Sequence, residues 1–298
     1  MVLSQAIQQF LLDQSGRGNS DYTLKYYKDL LILFLAFAGD VDVTELDLED
    51  LQLYVMDLKR KDLSSTSVQT YVRGLRAFLH WMYLRKLITE DLTQSFKLPK
   101  AERPVIDVLT DEEVTRLVGS FDIKDLLQLR NLCIVSLMLD SGLRKSEVVN
   151  LKLSMCHVQE GYIIVNGKGA RQRIVPLGLL SSAYLKLYLN RRPGIDNAFF
   201  LTSEGNPISD STVKSMFHRL KHKTKIDRLH PHLLRHTFAT RYIENNGNVF
   251  ALQSILGHSS IVMTLRYLHL STLKIRSDFT KYSPLDIMFR VGSRSEPP

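Results

Sequence analysis

Arginine, histidine and carboxylate side chains recur at helical spacing in the second half of this sequence. Arg144 precedes Glu147 by three residues in SGLRKSE, so a helix starting here places both side chains on one face. Taken alone, this pair is typical of an ordinary surface ion pair. His232 and Arg235 have the same separation in HPHLLRHT, where Pro231 suits the first position of a helix and the backbone N–H groups favour a phosphate. Zinc is not expected at these histidines, because cysteine or carboxylate partners at suitable spacing are absent from the sequence.

Three further candidates lie in short polar or glycine-rich segments. Lys168 occupies the predicted tip of a hairpin in NGKGARQR, where flanking glycines let an anion approach closely, and Arg171 and Arg173 follow it. His258 lies in a sharp turn in LGHSS, and Tyr267 follows nine residues later in TLRYLHL. Taken singly, a turn lysine is usually solvated and a tyrosine of this kind usually belongs to a core.

Together these side chains supply what phosphoryl transfer requires without a metal. Two arginines can neutralise the charge that develops on phosphodiester oxygens, and their planar fork suits this better than lysine. A tyrosine hydroxyl, with an ordinary pKa of about 10, can attack phosphorus and later leave. Lysine or histidine can protonate the departing sugar oxygen. The sequence has no phosphate-cradling GxxxxGKS or GxxxxGKT loop, so ATP is not expected.

The first hundred residues are predicted to be helical, because their apolar residues recur three and four positions apart. One side of the third predicted helix carries Gln69, Arg73, Arg76 and His80, a polar stripe that suits an element lying against DNA, with Arg73 and Arg76 reaching phosphates. A solvated helix face explains the same stripe. The predicted helices begin at Ser20 or Asp21, near Asp47 with an end before residues 59–61, and at Ser65 with an end near Lys86.

Residues 98–108 interrupt this pattern with two prolines and four charges, which predicts an interdomain linker. A helix is expected to start at Thr110, because TDEEV places acids in its first turn. Residues 162–165 and 171–176 are predicted to be two short strands joined by a glycine-rich turn. The predicted fold class is therefore mainly α with a small β-sheet. Further helices are expected after Leu177 and near Ser209, His232 and Val249.

Charge and composition narrow the range of partners. The 298 residues include 39 Lys and Arg against 31 Asp and Glu, a formal net charge of +8, with a pI near 9.4. This balance favours nucleic acid or an anionic membrane surface. The longest apolar run is too short to cross a bilayer, and the first residues lack the features of a secretory signal. Cys133 and Cys156 provide neither a disulfide framework nor metal-ligand spacing, so we expect a soluble, cytoplasmic protein.

These motifs resemble those of the tyrosine recombinases, the phage-integrase and Xer-type family of site-specific DNA recombinases. SGLRKSE, GKGARQR, HPHLLRHT, LGHSS and TLRYLHL occur in the family's order and at its typical separations within residues 141–270. The resemblance implies DNA strand transfer through a 3′-phosphotyrosyl intermediate and a Holliday junction, without metal or nucleotide cofactor. The domains it implies are a helical core-binding, SAM-like DNA-binding domain at 1–97, a linker at 98–108, a catalytic domain at 109–284 and a C-terminal tail at 285–298.

The resemblance also implies a role for each candidate residue. Tyr267 is implied to be the nucleophile, with Arg144 and Arg235 as the phosphate clamp. Lys168 is implied to be the general acid for the 5′-oxygen. The remaining roles are proton transfer for His232, a hydrogen bond to the phosphate for His258 and support of the pocket for Glu147.

The expected partner is a double-stranded DNA recombination site. The basic segment 213–228, which includes Lys214 and Arg219, is expected to add DNA contacts, although a solvated basic helix explains it equally. The family implies a homotetramer on DNA, in which residues 271–282 dock on a neighbouring subunit, with or without a partner recombinase or accessory protein. Two alternatives stay open: a type IB topoisomerase, which relaxes a single duplex, and a non-catalytic sequence-specific DNA-binding protein. Integration, excision, resolution and inversion are not distinguished.

Overall fold

The computed structural model describes residues 1–100, 107–167, 172–258, 260–265 and 267. The chain divides into two compact units, Met1–Pro104 and Val105–Pro298. The described residues are mainly helical with one small sheet, which confirms the predicted fold class. Among them, no helix combines the length and the apolar character needed to span a lipid bilayer.

Polar caps fix where the helices of the first unit begin. Ser20, one of the two predicted caps, accepts a hydrogen bond from the Thr23 N–H. Asp47 and Asp50 form a capping box at the start of the helix that is predicted near Asp47. This helix continues to Arg60, so the prediction that it ends before the basic cluster is wrong, because basic side chains are favoured in a last helical turn. The helices described in this unit are α1 (Leu3–Gly16), α2 (Asp21–Ala38), α3 (Leu48–Arg60) and α4 (Ser65–Leu84).

Aromatic side chains join these helices in one core. Phe10 of α1 makes edge-to-face contacts with Phe78 and Trp81 of α4, with ring centroids 5.4 and 5.5 Å apart. Phe34 of α2 contacts Tyr54 of α3 in the same way at 5.1 Å. Each fully buried phenylalanine stabilises the fold by about 1.5–3 kcal/mol. The apolar stripe of α4 therefore faces the core and leaves its polar stripe on the surface.

The second unit is organised around one apolar helix. Its described helices are α5 (Asp111–Gly119), α6 (Leu126–Asp140), α7 (Lys145–Val149), α8 (Leu179–Leu189), α9 (Asp210–Thr224), α10 (Pro231–Glu244), α11 (Val249–Leu256) and α12 (Ile261–Leu265). Thr110 and Glu113 form a capping box at the start of α5, where the sequence predicts that a helix begins. Helix α6 packs against both α8 and α10, and its Cys133 is fully buried, as is common for a small apolar side chain.

A three-stranded antiparallel sheet lies at the edge of this helical unit. Its strands are β1 (Cys156–His157), β2 (Tyr162–Asn166) and β3 (Gln172–Pro176), in the order β1-β2-β3. The β2–β3 pair confirms the predicted strands, whereas β1 escapes prediction because two residues are too few to show alternation. The predicted hairpin tip, with Lys168 and Arg171, lies outside the described residues, as do residues 271–282 and the predicted tail.

Candidate active site

The short helix α7 begins directly after Arg144 and places this side chain beside Glu147. The guanidinium Nη1 donates to Glu147 Oε1 at 3.0 Å, and the backbone N–H of Arg144 donates to Oε2 at 2.8 Å. The turn before α7 requires a glycine, since Gly142 has φ of +65° and a Cβ there would lie 2.5 Å from the Phe238 ring. The Arg144 side chain is 32% exposed against 5% for Glu147, so the guanidinium reaches the mouth of the site. The predicted placement of the pair on one face is confirmed.

Glu147 also holds Arg173, which reaches it from β3. Nη1 and Nη2 of Arg173 donate to the two carboxylate oxygens at 2.7 and 2.9 Å, and Nε donates to the Ile255 carbonyl at 2.7 Å. Burial acts to raise the pKa of Glu147, but the Arg173 hydrogen bonds, the Arg144 N–H and both positive charges hold this pKa below its ordinary value. The sequence predicts Arg173 as a DNA contact. In the structure its guanidinium pairs with Glu147, because the planar fork matches the buried carboxylate. Contact of Arg173 with DNA stays a prediction.

Arg235 is a buried guanidinium held by main-chain carbonyls. It projects from α10, is 5% exposed, and donates to the carbonyls of Gly142 and Leu256 at 2.5 and 2.8 Å. Burial and the nearby charge of Arg144 lower the pKa of Arg235 to about 10, which still leaves the group protonated at neutral pH. Because the guanidinium groups of Arg144 and Arg235 repel each other, an anion bound between them would be stabilised.

His258 lies in the turn that ends α11, as predicted. Gly257 has φ of +62°, and a Cβ there would meet the Arg173 guanidinium at 3.0 Å. Nε2 of His258 lies 3.1 Å from Nη2 of Arg235, and Nδ1 lies 2.9 Å from Thr264 Oγ1. Because a guanidinium only donates, Nε2 accepts, and the proton of the neutral ring is on Nδ1. Burial and the charge of Arg235 lower the pKa of His258 to about 4, so the ring is neutral at physiological pH.

Tyr267 follows α12 and is only 4% exposed. Its hydroxyl lies 2.8 Å from Nδ1 of His236, the residue after Arg235 on α10. His236 is absent from the predicted site residues. A usable signal was present in HPHLLRHT, because His232, Arg235 and His236 stand at positions i, i+3 and i+4 and share one helix face.

His232 stands at the exposed rim of the site in the first turn of α10, where Pro231 takes the predicted first position. The pKa of His232 lies below its ordinary value. The protein withdraws part of the ring from water, and His230 and Arg235 add positive charge. A neutral ring at the rim can exchange protons with solvent or with a bound substrate.

The predicted DNA contacts outside this pocket take different positions. Arg73 is exposed and donates to Gln69 Oε1 at 3.3 Å within α4. Arg76 donates to the Phe96 carbonyl, so part of its hydrogen-bonding capacity serves the first unit itself. Lys214 and Arg219 are both exposed on α9. Their contacts to DNA stay predictions.

The described site is a cationic pocket suited to a tetrahedral anion. Arg144 and Arg235 carry the positive charge, His258 adds a neutral imidazole, and the Tyr267 hydroxyl lies beside His236, the residue after Arg235. Among the residues that the structure describes, no group of three His, Cys, Asp or Glu side chains is placed to hold a metal ion. An arginine pair near a tyrosine hydroxyl can bind an anionic phosphate and present a nucleophile to it.

Comparison with known sequences identifies the family. The model of the Phage integrase family matches residues 107–274, and that of the Phage integrase N-terminal SAM-like domain matches residues 7–93. The chain is 32% identical over 264 residues to tyrosine recombinase XerC of Psychromonas ingrahamii, covering 86% of this chain and 88% of that protein. It is 30% identical over 295 residues to tyrosine recombinase XerD of Halalkalibacterium halodurans, covering 95% and 99%. The chain belongs to the phage integrase family of tyrosine recombinases.

Solved structures agree with this assignment. The XerA recombinase is 28% identical, with a TM-score of 0.52 over 94% of this chain and 99% of that one. The Tn1549 transposon integrase, in complex with transposon right-end DNA, is 22% identical, with a TM-score of 0.77 over 95% and 100%, and shows the shared fold. Both relatives in sequence are named tyrosine recombinases, and neither is named a type IB topoisomerase or a non-catalytic DNA-binding protein.

Proposed function

We propose that this protein is a site-specific DNA recombinase that cuts and rejoins strands through a 3′-phosphotyrosyl intermediate on Tyr267. The observation that carries the proposal is the convergence of buried Arg235, partly exposed Arg144 and neutral His258 beside a buried tyrosine hydroxyl. These groups come from three separate segments of the chain. A purely structural explanation gives no reason for placing two repelling guanidinium groups together.

The two arginines bind the scissile phosphate in this scheme. Arg144 reaches the mouth of the pocket and Arg235 closes its floor, so the phosphate oxygens are neutralised from two directions. Glu147 and Arg173 hold Arg144 and the end of α11 in place through hydrogen bonds. His258 donates a ring N–H to a phosphate oxygen after the Arg235 contact loosens.

Strand cleavage is then a displacement at phosphorus. The Tyr267 hydroxyl gives its proton to a general base as its oxygen bonds to phosphorus, the bond from phosphorus to the 5′-oxygen breaks, and that oxygen takes a proton from a general acid. We assign the acid to Lys168, with His232 assisting proton transfer at the rim. Attack of a partner strand's 5′-hydroxyl on the phosphotyrosine reverses these events and gives a Holliday junction after the first exchange. The resemblance to tyrosine recombinases implies that this chemistry proceeds without metal or nucleotide.

DNA is the proposed partner of both units. The net charge of +8 favours a polyanion, and Arg73, Lys214 and Arg219 are exposed cations suited to its phosphates. Residues 1–97 would form the core-binding domain and residues 109–284 the catalytic domain. Two duplex sites require four active sites, so we infer a homotetramer on DNA, with or without a partner recombinase or accessory protein.

Covalent trapping tests the proposal. A recognition site is first selected from random duplexes by repeated rounds of binding, and a nick is then placed so that the short cleaved strand diffuses away. Wild type and Tyr267→Phe are incubated with this DNA and separated on a denaturing gel. We expect a protein–DNA band for wild type and none for Tyr267→Phe, because the phenyl ring has no oxygen to bond phosphorus.

Tyr242→Phe is the matched control, because Tyr242 packs in the same apolar cluster as Tyr267. We expect it to form the band at the wild-type rate. A band of equal strength from Tyr267→Phe would exclude Tyr267 as the nucleophile. Tight specific binding with no band from any variant would favour the non-catalytic alternative.

A further inference from the structure

His236 is a histidine of the site to which the tyrosine-recombinase resemblance assigns no role. It follows Arg235 on α10, and its Nδ1 lies 2.8 Å from the Tyr267 hydroxyl. The two ring centroids are 5.9 Å apart with the planes at 46°, so the rings meet through these polar atoms rather than by stacking. A directional contact of this length is a full hydrogen bond.

The nucleophile has little access to water, which makes a protein proton acceptor necessary. Tyr267 is 4% exposed, and an ordinary tyrosine hydroxyl is almost fully protonated at neutral pH. Its proton must leave when the oxygen bonds to phosphorus. His258 is poorly suited to take it, because Nε2 already accepts from Arg235 and Nδ1 pairs with Thr264. His232 stands at the exposed rim instead.

We propose that His236 is the general base that accepts the Tyr267 proton during DNA cleavage. The inference rests on the proposed function, in which Tyr267 attacks the scissile phosphate. As the bond between the tyrosine oxygen and phosphorus forms, the O–H bond breaks and the proton moves to Nδ1 of His236. The general acid separately protonates the departing 5′-oxygen. During rejoining, the His236 imidazolium returns its proton to the leaving tyrosine oxygen, so protons balance over both steps.

The position of His236 on α10 fits this role. Arg235 and His236 are consecutive, so the helix that fixes the phosphate-binding guanidinium also fixes the base beside the nucleophile. Arg235 is anchored to two carbonyls, and Thr237 on the other side of His236 accepts a hydrogen bond from the Leu109 N–H. The base is therefore carried on a rigid part of the unit, as proton transfer over hydrogen-bond distance requires.

A substrate that needs no general acid separates this role from that of Lys168. Replacing the bridging 5′-oxygen of the nicked site by sulfur gives a thiolate leaving group that departs without protonation. Single-turnover rates of covalent complex formation are measured at saturating DNA for both substrates. Lys168→Ala should be slow on the oxygen substrate and largely rescued on the sulfur substrate. His236→Ala and His236→Asn should be slowed about 100-fold on both, because the tyrosine still has to lose its proton.

The asparagine variant tests for a role in positioning alone. Its side-chain oxygen stands near the place of Nδ1 and can accept the hydrogen bond, but it cannot keep a proton. His157→Asn is the matched control, because His157 stacks on Tyr162 at a centroid distance of 4.6 Å, away from the site. We expect it to cleave at the wild-type rate. Thermal unfolding and binding of intact DNA establish that each variant is folded, and rates are normalised to the DNA-bound fraction.

The outcomes separate the two proposals. Cleavage by His236→Asn at the wild-type rate would overturn the assignment of His236 as the base. Cleavage by His236→Ala faster than by wild type would do the same, as would rescue of either variant by the sulfur substrate. If His236→Ala does not fold, the asparagine variant decides alone. Tyr267→Phe is run beside them, and covalent complex formation by that variant would overturn the proposed function itself.

Discussion

The two units of this chain differ in whether they bury charged side chains. In the first, the buried residues that the structure describes are apolar apart from Gln14. In the second, the buried residues include the charged side chains of Arg130, Glu147 and Arg235. Burying a charge costs free energy unless it is paired or hydrogen-bonded. The second unit therefore keeps a costly feature that packing alone does not require, and this marks the region where chemistry is to be sought.

Burial of an arginine is not sufficient evidence of function, as two residues of the second unit demonstrate. Arg130 and Arg235 are both 5% exposed, and burial lowers the pKa of each. Arg130 donates to the Leu201 carbonyl at 2.8 Å and to the Asn131 side chain at 3.0 Å, so it ties two segments of the fold together. Arg235 contacts His258 as well as carbonyls. The nature of the neighbours separates a structural arginine from one that can bind a phosphate.

The largest expected effect tests this distinction directly. Arg235→Lys keeps the charge but loses the planar fork that reaches two carbonyls and His258 together. We expect covalent complex formation to fall by about 10³-fold per DNA-bound molecule, because one preorganised donor to a reacting oxyanion is worth this much. Arg130→Lys should reduce stability while leaving this rate within a few-fold of wild type. Equal loss of rate in both variants would remove the distinction between the two arginines.

The next effect concerns the apolar core of the first unit. Phe34 is fully buried and Phe37 is 37% exposed, yet both rings contact Tyr54, at 5.1 and 5.3 Å. Phe34→Ala should lower the free energy of unfolding by about 3–5 kcal/mol, because it leaves a cavity. Phe37→Ala should cost about 1 kcal/mol. Trp81, the single tryptophan of the chain, lies in this core, so its fluorescence during urea unfolding reports on the first unit. Similar losses in the two variants would contradict a core organised around Phe34.

The smallest effect concerns the histidine of the charged pocket. The pKa of His258 is about 4 in the folded protein and near 6.5 when unfolded, so the unfolded state binds more protons between these values. The neutral His258 ring therefore makes its full contribution to the free energy of unfolding above pH 6.5, and this contribution is lost as the pH falls towards 4. In the absence of DNA, His258→Asn should lower the free energy of unfolding less at pH 4 than at pH 7. The expected difference between the two pH values is roughly 2 kcal/mol, which allows for the partial exposure of the ring. Urea unfolding at both pH values measures this difference, and parallel pH profiles would contradict it.

Local features of the fold follow closely from the sequence. The cap at Ser20, the capping box at Thr110 and the start of α10 at Pro231 all depend on residues within one helical turn. The pairing of Arg144 with Glu147 is equally local, since three residues separate them on one turn. Interactions over this range are almost independent of the rest of the molecule, so residue type and spacing suffice to predict them.

The sequence by itself determined the helical character of the chain, its caps and the order of the chemical motifs. The tertiary structure alone decided which of these motifs meet. Arg235 and His258 are 23 residues apart, and His236 and Tyr267 are 31 apart. Arg173 pairs with Glu147, 26 residues away, because that buried carboxylate needs a cation. No short-range pattern encodes such contacts, since they arise only when packing around α6 and α10 brings distant segments within hydrogen-bond distance.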